Sequence, residues 1–284
     1  MTKFLFILFQ HIVPQHLLSR LVGLLAASEV QGLKNFIIKK FIAKYKVNMD
    51  EALHTDAEDF SSFNDFFTRE LKAGQRPIVE LENAVVCPAD GVISAIGDIE
   101  SGQLLQAKGK QFSLKGLVGG DPKVAELFEA GNFATVYLSP KDYHRVHMPC
   151  AGTLQKMIFV PGKLFSVNQT TSENIDELFA RNERVVCIFD TEFGPMALIL
   201  VGAMIVASIE TVWAGQVAPS KQKLTTTDYS QQQPPIHIEK GLEAGRFKLG
   251  STAIVLFGPG IADWQTDLTP GSEVQMGQQL GLCQ

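Results

Sequence analysis

A chain of 284 residues with 45% hydrophobic and 19% charged residues supports one large globular domain, alone or with an appendage, and excludes a disordered chain. A net charge of −5 excludes a general nucleic-acid binder. The charge is uneven: Lys3, Arg20, Lys34, Lys39, Lys40, Lys44 and Lys46 face Glu29 alone in residues 1–46, so that segment carries +6 and the rest −11.

The basic segment is also apolar, with FLFILF at 4–9, LLSRLVGLLAA at 17–27 and FIIKKFIAKYK at 36–46. Gln10, His11, Pro14, Gln15, His16 and Arg20 interrupt it before it reaches the ~20 apolar residues that span a bilayer. The same breaks fit the apolar core of a secretion signal poorly. Helices lying in a membrane interface, lysines toward anionic headgroups, fit the pattern. Helices packed on the body with solvated lysines are the alternative.

In DFSSFNDFFTRELKAGQRPI, 59–78, Ser61 or Ser62 can cap a helix carrying Phe63, Phe66, Phe67 and Leu71 on one face, ended by Gly74 and Pro77. From about residue 84 short apolar runs alternate with turn residues: AVVCPADGVISAIGDI, FATVYLS, GTLQKMIFV, RVVCIFD, MALILVGAMIVASIET and TAIVLFG. Short helices are expected at 123–130 and 172–181, and residues 216–235 read as a polar excursion or lid. The predicted architecture is α+β: N-terminal amphipathic helices over 1–46, then a mostly antiparallel β-rich domain over 47–284. Cys87, Cys150, Cys187 and Cys283 are too dispersed for a disulfide framework and read as buried thiols.

Three polar spots interrupt the β texture. In CPADGVI a tight turn presents Asp90; its ordinary role is that of a turn residue. SPKDYHRVHMPCAG holds His144 and His147, which share a site only if the segment bends. With Cys150 they could form a metal site, but no companion ligand cluster accompanies them, and no metal is expected. The third spot is Gly250-Ser251-Thr252, at a strand entry. Asp, His and Ser together invite a triad, yet the nucleophile elbow of serine hydrolases is missing. Spacing alone leaves Ser251 open between turn residue and nucleophile.

The motifs as a set resemble the phosphatidylserine decarboxylase family of the compact bacterial type. The resemblance runs through FNDFFTREL, PADG, YHRVHMPCAG, SVNQTTSENIDELFARNERVV, FGPMALILVGAMIVASIETVWAG and GLEAGRFKLGSTAIVLF, from about residue 60 to 260. Ala253, where the family more often has a larger aliphatic residue, is the one variation noted. The resemblance implies a proenzyme cut between Gly250 and Ser251 into a β chain, 1–250, and an α chain, 251–284. It implies Asp90, His147 and Ser251 as the processing triad, with Ser251 converted to a covalent pyruvoyl group. That group would form a Schiff base with phosphatidylserine, lose CO2 and yield phosphatidylethanolamine, with His144 a candidate for proton transfer. KLFSVNQT, 163–170, is a candidate wall of the headgroup site. The resemblance further implies a peripheral membrane enzyme on the cytoplasmic face, binding anionic lipid through residues 1–46, and a homodimer. The rival reading is a lipid-ester serine hydrolase that keeps an intact Ser251-His147-Asp90 triad.

Overall fold

The computed structural model describes residues 3–205, 208–219, 223–248 and 251–284. Three helices lead the chain: α1, Lys3–Ile12; α2, Gln15–Ala26; and α3, Gln31–Tyr45. Pro14 stands between the first two, which meet at 88°. Among the described residues no single helix is long and apolar enough to cross a membrane.

A fourth helix, α4, is shorter than its apolar periodicity predicts, Phe63–Phe67 only. Ser62 caps it, its hydroxyl accepting from the Asp65 N–H, but Leu71 lies beyond the helix in a bridge to Ala52. Phe60, Phe63, Phe66 and Phe67 pack against Ile38 and Phe41 of α3, in a satellite core separate from the sheet. Burying each phenylalanine contributes about 1.5–3 kcal/mol, which ties the helical appendage to the body.

The body is built on an antiparallel sheet whose order runs Thr225–Asp228, Gly152–Val160, Arg184–Thr191, Gly194–Val201, Ser251–Phe257, Asn132–Leu138, Gly91–Asp98 and Glu273–Val274. His237–Ile238 also pairs with Gly152–Val160. The 216–235 excursion is therefore fastened at its middle to the sheet edge, since Thr225–Asp228 pairs in register with Lys156–Phe159. Each of the central strands alternates its side chains between two cores. Ala253, Val255 and Phe257 face one, shared with a smaller sheet that includes Arg145–His147 and Glu243–Phe247. Ile254 and Leu256 face the other, closed by Phe112, Leu117 and Phe179. The predicted 172–181 helix is two short ones, Gln169–Asn174 and Leu178–Arg181, split where Glu177 takes a left-handed φ of 51°. All four cysteines are free and buried.

Candidate active site

Ser251 opens the central strand, paired with Leu138 and followed by Thr252, which pairs with Tyr137 and Val201. Strand parity puts the Ser251 side chain on the Ala253 face, toward the smaller sheet that carries His147. It is fully buried, and its Oγ has no hydrogen-bond partner among the described residues. A buried hydroxyl without a partner is disfavoured by a few kcal/mol and calls for a functional explanation. Gly250, expected on the other side of the scissile bond, lies outside the described residues.

His144 is equally buried. Its ring lies 4.0 Å from that of Phe67, centroid to centroid, and its Nδ1 donates to the Asp142 carbonyl at 2.8 Å. With the proton on Nδ1, Nε2 is a free acceptor, and it too has no partner. Burial pushes its pKa down to about 3, so the ring is neutral near pH 7. His147, three residues on, has a separate environment. Its Nδ1 donates to the Gly241 carbonyl at 2.8 Å, and its Nε2 accepts from the Tyr143 hydroxyl at 3.1 Å. Burial lowers its pKa as well, against smaller opposing pulls from the Gly241 carbonyl first and then from Glu243 and Asp90.

Asp90 sits where PADG turns into the strand Gly91–Asp98. Gly91 is required there, because a Cβ would fall on the Tyr137 carbonyl. The turn is stitched to the histidine segment by the His147 N–H, which donates to the Pro88 carbonyl at 2.8 Å. The Asp90 carboxylate itself is held by Arg76 and by the Met276 N–H at 2.9 Å. Among the described residues no hydrogen bond joins Asp90 to His147, or either to Ser251. The structure thus brings the segments of the expected triad together without a completed relay. Glu51 takes a second contact with Arg76, at 2.7 Å.

Beside this cluster is a cavity of about 500 Å³, lined by Asp90, Ser139, Tyr143 and Arg69 among others. Sequence reading missed Arg69, Arg76 and Tyr143. The signal for the first was a lone arginine in the aromatic FFTREL run. KLFSVNQT, expected as a headgroup wall, seats the N-terminal helices. The Leu164 and Ser166 N–H groups donate to Gln15 and Gln10 at 2.7 and 2.9 Å.

A buried serine hydroxyl without a partner, on a face shared with the sheet that carries the histidine segment, is more than an ordinary turn residue requires. A family model described as phosphatidylserine decarboxylase matches residues 63–282, and one described as PSD matches residues 5–46. Curated relatives named phosphatidylserine decarboxylase proenzyme agree over nearly the whole length. That of Pseudomonas putida is 61% identical over 277 residues, 97% of this chain and 96% of the relative. That of Ectopseudomonas mendocina is 60% identical over 285 residues, covering 100% of both. That of Pseudomonas fluorescens is 60% identical over 283 residues, 99% of this chain and 98% of the relative. The chain belongs to the phosphatidylserine decarboxylase family and is a decarboxylase.

Proposed function

We propose that the chain is made as a proenzyme that cuts itself between Gly250 and Ser251, and that position 251 then carries the pyruvoyl group used to decarboxylate phosphatidylserine. The observation that carries this is Ser251: fully buried at the mouth of the central strand, its hydroxyl without a partner. The proenzyme name of the full-length relatives supports the cut.

In the cut, Ser251 Oγ loses its proton to a histidine and attacks the Gly250 carbonyl carbon, turning the amide into an ester. Removal of the Ser251 α-proton expels the Gly250 carboxylate. Tautomerisation and addition of water then release ammonia and leave the keto group. His147 and Asp90 are the proposed processing partners. For that role the Tyr143 hydroxyl must leave His147 Nε2, and Asp90 must turn from Arg76. The residues at hand fit the group: the side chain at 251 has no hydrogen bond to give up on becoming a keto carbonyl, and the free Nε2 of His144 lies six residues beyond Leu138, the cross-strand partner of 251. When formed, the group supplies an electrophilic carbonyl for the substrate amine and a sink for the electrons left by CO2. His144, neutral and with Nε2 open, is the proposed proton carrier of that half.

A substrate with two acyl chains stays in the bilayer, so the enzyme docks to it. We place that contact on α1 and α2, at the cytoplasmic face of the membrane. Support comes from their inverted amphipathicity: Gln10, Gln15 and Ser19 are buried against the body, while Phe4 and Leu24 are each 73% exposed, with Leu17 and Leu21 alongside. Soluble helices bury the opposite face. Of the lysines expected to meet headgroups, Lys34 is withdrawn, its Nζ bound to the Ala57 carbonyl at 3.2 Å and to Asn35.

Denaturing electrophoresis with intact mass tests the cut. The expected result is a fragment 251–284 one ammonia lighter than its serine-headed form, absent in Ser251→Ala, which is inactive. A single intact chain that decarboxylates phosphatidylserine overturns the proposal. The paired state implied by the resemblance is read by light scattering on the same sample.

A further inference from the structure

The cavity beside the histidine segment is walled by residues whose buried polar atoms lack hydrogen-bond partners among the described residues. Arg69 lines it and is 5% exposed. Its Nη2 donates to the Lys141 and Asp142 carbonyls at 3.0 and 3.4 Å and its guanidinium lies 5.7 Å from the centroid of the Phe66 ring, but its Nε and Nη1 have no acceptor among the described residues. Ser139 lines the same cavity, and its buried Oγ is likewise without a partner. Arg76, the other buried arginine there, is committed to Asp90 and Glu51. Lys141 is exposed at the cavity wall and has no ion pair among the described residues.

A guanidinium stays protonated in a protein, so Arg69 is a buried cation with two nitrogens, Nε and Nη1, whose N–H groups are unused. Burying such a group without acceptors is unfavourable, and an oxyanion brought against it removes the penalty. The place is also right for a substrate held at position 251. Ser139 is one residue, about 3.8 Å, from Leu138. Leu138 is the cross-strand partner of Ser251, and such partners lie about 4.5–5.5 Å apart.

We infer that Arg69, with Ser139, is the anchor for the phosphodiester of the substrate headgroup. This rests on the decarboxylase reading of the site and adds the atoms that grip the ligand. The headgroup offers two oxyanions, and the chemistry separates them. The carboxylate leaves as neutral CO2 while its electrons move away. A cation on it would stabilise the ground state more than the transition state and slow the reaction. The phosphodiester keeps its charge throughout, so a cation there holds substrate without opposing the chemistry. It also sits only a few bonds from the amine that meets position 251.

The test measures inhibition of decarboxylation by two soluble probes: glycerophosphoethanolamine, which has the phosphodiester but no carboxylate, and free serine, which has the reverse. In Arg69→Gln the inhibition constant for glycerophosphoethanolamine is expected to rise at least tenfold, with that for serine within twofold. Arg69→Lys falls between, because it keeps the charge and loses the fork. An unaltered response to glycerophosphoethanolamine, a shift confined to serine, or no inhibition of the unmodified enzyme by glycerophosphoethanolamine overturns the assignment. If Arg69→Gln does not fold, by circular dichroism, the decision passes to Arg69→Lys and Ser139→Ala, each expected to weaken glycerophosphoethanolamine severalfold. Calorimetric binding of glycerophosphoethanolamine to the purified chain keeps the two questions apart. A chain that binds it through Arg69 but fails to decarboxylate sinks the reading of the site and leaves the anchor standing.

Discussion

Arg76 encloses the Asp90 carboxylate: its Nε lies 2.9 and 3.0 Å from the two oxygens, and its Nη2 lies 2.6 Å from Oδ2. Both side chains are only 8% exposed. Removing one partner of a buried pair strands the other charge. Arg76→Met is therefore expected to lower stability by about 3–5 kcal/mol. Adding Asp90→Asn to it should recover much of that loss, as read by urea unfolding. Asp90→Asn alone is expected to slow self-cleavage at least tenfold, followed by electrophoresis over time.

Acid should loosen the fold through His144. Its folded pKa is about 3, against an ordinary value of 6.5. Between those limits the unfolded chain binds the extra proton, so stability falls as pH drops, by up to about 1.4 kcal/mol per unit. Above 6.5 the effect is absent. His144→Gln should remove this slope, so the difference between variant and parent in urea unfolding shrinks from pH 7 to pH 4.

Glu183 has the opposite sign. Burial raises its pKa from 4.5 to about 7, with a smaller opposing pull from Arg20. Its neutral form is favoured in the fold; the stability it contributes is full below 4.5 and is lost as pH rises through 7. Glu183→Gln should therefore be more stable than the parent at pH 8, by roughly 1–3 kcal/mol, and nearly equal at pH 5. Thermal unfolding at the two pH values checks this.

The outward face of α2 offers a cleaner test of membrane docking. Replacing Leu17, Leu21 and Leu24 with Glu should reduce co-sedimentation with anionic phospholipid vesicles at least tenfold. The unfolding midpoint should move little, because all three side chains are exposed. Gln15→Ala should act the other way, removing the acceptor for the Leu164 N–H and lowering stability by about 1 kcal/mol.

Strands were readable because alternation is local: TAIVLFG and RVVCIFD announce themselves by β-branched content. Helix α4 was overextended because Leu71 keeps the helical phase, whereas its backbone is claimed by Ala52, far from it in sequence terms. The polar breaks Gln10 and Gln15 were legible as interruptions, and Ser19 was not. That they are the docking side of the helices depends on loops at 164–166 and 205, which no window around them contains. In the same way PADG could point to Asp90 but not to Arg76, since charge pairing across a fold leaves no periodic trace. The site's histidines stood out as a polar interruption of the strands, and their roles came from motif resemblance. Their tautomers and separate surroundings required the Asp142 and Gly241 carbonyls to be in place.

The strand Ser251–Phe257 has hydrogen-bonded neighbours on both sides, Asn132–Leu138 and Gly194–Val201. An edge strand can be added to a finished sheet, but a middle one has to be woven in while the sheet is still open. Under the proposed cut, the bond between residues 250 and 251 thus serves first as an assembly tether. It delivers the middle strand at the right moment, and it becomes dispensable once both flanks have closed on it. Two separately made pieces, 1–250 and 251–284, would accordingly recombine poorly, even though the same pieces, born joined, remain together after they are parted.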